Sequence, residues 1–134
     1  LSGNWVKKLG DKSNVEVNAP AHSPSLIAWS DAVINFGSSI AIDALNQDKP
    51  IIHTPFLHTN RTIFDDGKVN YLANSVGEVI SLLEQACDYG LKPADAKNKA
   101  VFMEKEVYGS RKPFDVLEYY YDQITGITRR DLSE

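Results

Sequence analysis

The sequence has a single cysteine, Cys87, which excludes an internal disulfide framework. A chain without such staples suits a reducing compartment, so a cytoplasmic location is expected. No apolar run approaches the roughly 20 residues that a membrane-spanning helix needs. Basic residues are also in the minority: 14 Lys and Arg stand against 18 Asp and Glu, a formal net charge of −4. Without a basic field to gather phosphates, a general nucleic-acid binder is disfavoured. The chain has no internal repeat and no low-complexity stretch. It also lacks an initiator Met and a signal-peptide pattern, beginning at Leu1, so the expectation is a domain excised from a longer protein.

What remains is the composition of a globular domain. The 134 residues, 43% hydrophobic and 24% charged, suffice for one packed core. Expected boundaries are 1–126 for a single domain and 127–134 for a loose tail. Val15 and Val17 flank Glu16 in a short alternating run, so a strand is expected over about 14–18. A loop over 19–23 leads to Ser23-Pro24, a helix start with serine as N-cap and proline at the first helical position. A buried strand follows at 32–36, a helix over about 38–47 and a second buried strand at 51–54. Lys49-Pro50 ends the helix, because proline pushes its predecessor out of the α region.

Residues 55–67 show no period and close on the turn signal Asp65-Asp66-Gly67. A loop of that length in a compact domain is usually functional. A short edge strand is expected at 69–72. Val76, Val79, Ile80, Leu83 and Cys87 share one helical face, so an amphipathic helix is expected over about 76–88, with Cys87 as a buried structural thiol. Further helices are expected at 94–107 and 113–125.

Buried strands alternating with helices imply an α/β fold, a Rossmann-like doubly wound parallel sheet in three α/β/α layers. Ligands of such sheets lie beyond the carboxyl ends of the strands. Here those ends carry the loops 19–23, 37–39 and 55–67. Gly37-Ser38-Ser39 joins a strand to a helix through small residues, which would present unpaired N–H groups and hydroxyls to a phosphate. Asp43 lies one helical turn beyond Ser39, where a carboxylate can accept two ribose hydroxyls; the alternative is a solvated surface acid. His22 and Ser23 fall at the same edge, and Arg61 in the long loop can reach a phosphate or face water. His53 ends a buried strand and is expected to be a hydrogen-bonded core histidine. The three histidines show no metal-ligand spacing, so no metal is expected; no nucleophile–base pair is evident, and the catalytic residues are unassigned.

The run from Asp31 to Ser39, with Asp43-Ala44 and Lys49-Pro50-Ile51-Ile52 after it, resembles the carboxy-terminal half-domain of GT-B glycosyltransferases. The nearest groups are those that build capsules and other surface polysaccharides, with nucleotide-sugar 2-epimerases as structural cousins. The likeness spans about 13–55, and 76–124 in general pattern only. It implies half of a GT-B fold, in which Gly37, Ser38 and Ser39 hold the diphosphate of a nucleotide-sugar donor and the acid at 43 holds the ribose. The nucleotide sugar would be a substrate, with no separate cofactor. The implied partner is a missing N-terminal acceptor domain that supplies the catalytic base, and the whole protein could attach peripherally to a membrane. Two positions depart from the family pattern: Asp43 replaces a longer glutamate, and Asp48 stands where glycine is usual. Ser38-Ser39 and Ile42-Asp43 replace the Gly-Gly and doubled Glu of the epimerases, the rival enzyme reading; a non-catalytic phosphate-binding module is the other.

Overall fold

A computed structural model describes residues 15–16, 22–109 and 116–126. The strand expected at 14–18 and the loop at 19–23 fall mostly outside the described residues, as does the tail at 127–134. The described elements are α1 (Ser23–Trp29), β1 (Val33–Asn35), α2 (Ile40–Asn46), β2 (Ile51–His53), a 3₁₀ turn (Pro55–Leu57), β3 (Tyr71–Leu72), α3 (Val76–Tyr89), α4 (Ala96–Phe102), a π-helical turn (Met103–Val107) and α5 (Val116–Thr125).

The three strands pair in parallel in the order β1-β2-β3, with Asn35 opposite His53 and His53 opposite Leu72. An α/β architecture is therefore present. Its sheet grows in one direction, and the reversal of strand order that makes a sheet doubly wound does not occur among the described residues. The core lies on the side of Val33 and Ile51, where Ile27, Ala41, Ala44 and Leu45 meet Phe64 and Phe102. Ala41 and Ala44 are fully buried, because small side chains let α2 lie close against the strands. Ile34, on the other face of β1, remains 43% exposed.

The end of α2 accounts for one departure from the family pattern. Lys49 N–H donates to the Ala44 carbonyl (3.0 Å) and Asp48 N–H to the Leu45 carbonyl (3.2 Å), a Schellman closure. Asp48 takes the left-handed conformation this requires, with φ +53. Glycine does so without strain, and aspartate is among the few other residues that tolerate it. Asp48 also receives Lys99 Nζ at 2.6 Å, a tie to α4 that glycine could not make. Beside it, Lys49 Nζ donates to the carbonyls of Ala28 (2.9 Å) and Ser30 (2.8 Å), closing the carboxyl end of α1.

Two local expectations need correction. The Ser25 and Leu26 N–H groups donate to the His22 carbonyl, so His22 rather than Ser23 is the N-cap of α1, and Ser23 is its first residue. Cys87 is exposed, not a buried thiol. The amphipathic helix is present as α3, opened by a Ser75 cap that accepts from Glu78 N–H and stopped at Gly90. None of its residues is buried, however, and Val76 and Ile80 are 63% and 51% exposed. An apolar stripe dictates a helix but does not guarantee a neighbour to cover it. The helix expected over 94–107 begins at Ala96, behind an Asp95 cap, and loosens into a π turn from Met103.

Candidate functional site

The carboxyl ends of β1 and β2 bring the chemistry-bearing residues together. β1 ends in Asn35, which is 1% exposed. Gly37 then turns the chain with φ +120, a conformation that disfavours any side chain. The turn does not leave all its N–H groups open, as the sequence suggested. Asn35 Oδ1 accepts from Ser38 N–H at 2.9 Å and from Gly37 N–H at 3.4 Å, while Ser38 Oγ accepts from Ile40 N–H at 3.3 Å. An asparagine at the end of a strand makes this loop-closing bond readily, in competition with any ligand for the same N–H groups. Ser38 and Ser39 are both exposed.

β2 ends in His53, fully buried and hydrogen-bonded as expected of a core histidine. The long loop folds back over it. His53 Nε2 lies 2.8 Å from Asp65 Oδ1, and its Nδ1 lies 3.1 Å from the Asn35 carbonyl, so each ring nitrogen faces an acceptor. Thr62 completes the cluster: its N–H donates to Asp65 Oδ2 (3.0 Å) and its hydroxyl to Asp65 Oδ1 (2.9 Å). Phe64 then inserts into the core, its ring centroid 5.3 Å from that of Phe102, and anchors the loop.

His58 lies on the inner side of this loop, its ring centroid 5.7 Å from that of His53. Its Nε2 would be 3.6 Å from a Cβ built on Gly37, so the loop touches the turn from within. Both His58 ring nitrogens are shut from solvent and have no hydrogen-bond partner. Each such unmade bond costs about 1–3 kcal/mol.

The Thr62 backbone N–H, then His53 and the Thr62 hydroxyl, hold the Asp65 carboxyl down from its ordinary 3.8 to about 2. A lowered pKa means that Asp65 stabilises the fold while ionised. Its contribution is complete above the ordinary pKa and is lost as pH falls from 3.8 to about 2. Asp65→Asn should therefore be less stable than the wild type at neutral pH, and the gap should close across that acid window. Urea unfolding of both proteins at stepped pH measures this, and a gap that stays constant from neutral pH to pH 2 would contradict it.

The structure gathers some of the predicted site residues and leaves others apart. Gly37, Ser38 and Ser39 form the turn, and Asp43 is an exposed acid in the first turn of α2. His22 is exposed, its Nδ1 3.0 Å from Ser25 Oγ. Arg61 is exposed and lines a cavity of about 380 Å³ with Thr62, Asp65, Asp66 and Glu106. Asn35, His58, Thr62 and Asp65 went unrecognised as a group. The eleven residues between His53 and Asp65 carry no spacing rule, and the only local signal is the Asp65-Asp66-Gly67 turn.

Comparison with known protein families, with curated proteins and with solved structures returned no match.

Proposed function

We propose that this chain is the donor-nucleotide-binding half of a GT-B type glycosyltransferase of surface-polysaccharide synthesis. Gly37, Ser38 and Ser39 take the diphosphate of the nucleotide sugar, and Asp43 takes the ribose hydroxyls. The observation that carries this reading is the turn itself. A parallel strand ends in a φ +120 glycine, passes two exposed serines and enters a helix whose first turn bears an exposed carboxylate. In a parallel α/β sheet this is the edge where ligands bind.

Asn35 Oδ1 occupies the place of a phosphate oxygen at the Gly37 and Ser38 N–H groups. A diphosphate would displace it, exchanging a neutral acceptor for a charged and stronger one. The Ser38 and Ser39 hydroxyls add donors, and Arg61, exposed on the long loop, is the positive group that would reach toward the phosphates. During transfer these donors would stabilise the charge that grows on the leaving diphosphate. The acceptor pocket and the base that deprotonates the acceptor hydroxyl belong to a second domain.

Half a cleft binds weakly, so amide-shift mapping by NMR is the suitable assay. Millimolar UDP, CDP, CMP or GDP should move the amides of Gly37, Ser38 and Ser39, with the largest shift where Asn35 lets go. Four nucleotides that all leave those amides in place would overturn the reading.

A further inference from the structure

We propose that His53, His58 and Asp65 form a binding site for a divalent transition-metal ion, of which Zn²⁺ is the natural probe. Three observations lead there independently of the nucleotide reading. One ligand atom from each residue lies within 4.8 Å of the other two. Around a four-coordinate Zn²⁺ such atoms sit about 3.3–3.5 Å apart, so rotations of the side chains close the set.

The second observation is the wiring of His53. Its Nδ1 faces the Asn35 carbonyl at 3.1 Å, and an N–H there leaves the Nε2 lone pair pointing at the Asp65 carboxylate, 2.8 Å away. A neutral imidazole has one N–H to give: on Nδ1 it leaves two electron-pair donors face to face at Nε2, with a gap for something positive, whereas on Nε2 it donates to Asp65 and leaves Nδ1 to the Asn35 amide at 3.5 Å. A proton can fill the gap, and so can a metal ion. A backbone carbonyl on the far nitrogen is the support that metal-ligating histidines usually have.

The third is His58, whose two ring nitrogens are out of solvent and without partners. A metal bond would satisfy one of them. Two imidazoles and one carboxylate suit Zn²⁺, Co²⁺ or Ni²⁺ better than Mg²⁺ or Ca²⁺, which take oxygen shells. Access is through Asp65, part of a cavity wall where Asp65, Asp66 and Glu106 outnumber Arg61. Binding releases any proton held between His53 and Asp65.

Calorimetric titration of the metal-free 134-residue chain with ZnCl₂ tests the site, alongside NMR of the histidine ring nitrogens. One Zn²⁺ per chain should bind, the His53 and His58 rings should both shift, and MgCl₂ should do neither. His58→Gln leaves every hydrogen bond of the cluster in place and should weaken Zn²⁺ at least about tenfold with the amide spectrum otherwise unchanged. Asp65→Asn should weaken it similarly, whereas Cys87→Ser should change nothing. No binding, affinity unaltered in His58→Gln, or ring shifts confined to His22 would each overturn the proposal.

Discussion

Asn35→Leu is expected to lower the free energy of unfolding by about 2–4 kcal/mol, from loss of bonds worth about 1–3 kcal/mol each when a group is left unpaired. Leucine keeps asparagine's branched skeleton with two bulkier methyl groups, so no cavity opens at this buried position and any overpacking adds to the loss. What disappears is the acceptor for Ser38 N–H at 2.9 Å and Gly37 N–H at 3.4 Å, together with the amide 3.5 Å from His53 Nδ1. Against a typical stability of about 5–15 kcal/mol, that is a large share for one side chain. Urea unfolding followed by circular dichroism measures it directly. A change below about 0.5 kcal/mol, the range of an ordinary surface substitution, would mean that water replaces these bonds at no cost. The same substitution opens the Gly37 and Ser38 N–H groups, so a nucleotide that binds there should not lose affinity in step with stability.

The order of elements was written in the local chemistry. Ser23-Pro24, Lys49-Pro50 and Tyr89-Gly90 punctuate the chain, and the apolar runs between them became β1, α2, β2 and α3 in the expected sequence. The ends were less legible. β1 stops at Asn35, not at 36, because Phe36 leaves the ladder as the chain turns into Gly37. The helix after the turn starts at Ile40 rather than 38, because Ser38 and Ser39 spend their backbone in reaching its first hydrogen bonds. The exposure of Cys87 and Val76 was hidden for a different reason. Periodicity tells which side of a helix is apolar, and only tertiary packing tells whether anything lies against it.

Half of the candidate site could be seen in advance, the half that is local. Gly37, Ser38, Ser39 and Asp43 all lie within seven residues of one strand–turn–helix unit, and their spacing fixes their geometry. The His53, His58, Thr62 and Asp65 cluster depends on a loop that leaves the sheet and returns, held by Phe64 in the core. Nothing in the loop's own pattern states where it returns. Asn35 belongs to both halves, since its side chain serves the turn and its carbonyl serves His53.

The central claim is that one nucleotide spans this edge, its diphosphate on the Gly37 turn and its ribose on Asp43. Asp43 is exposed, and aspartate is one methylene shorter than the glutamate of the families it resembles, so its reach must be measured. A double cycle does so, pairing Asp43→Ala with a 2′,3′-dideoxynucleotide. Against the wild type, either change should cost about 1–3 kcal/mol of binding, the scale of lost hydrogen bonds to a charged group. Made together they should cost little more than either alone, because each removes the same contact. Losses that simply add, so that removing the hydroxyls costs the Asp43→Ala protein as much as it costs the wild type, would show that Asp43 is a surface acid and that the ribose lies elsewhere.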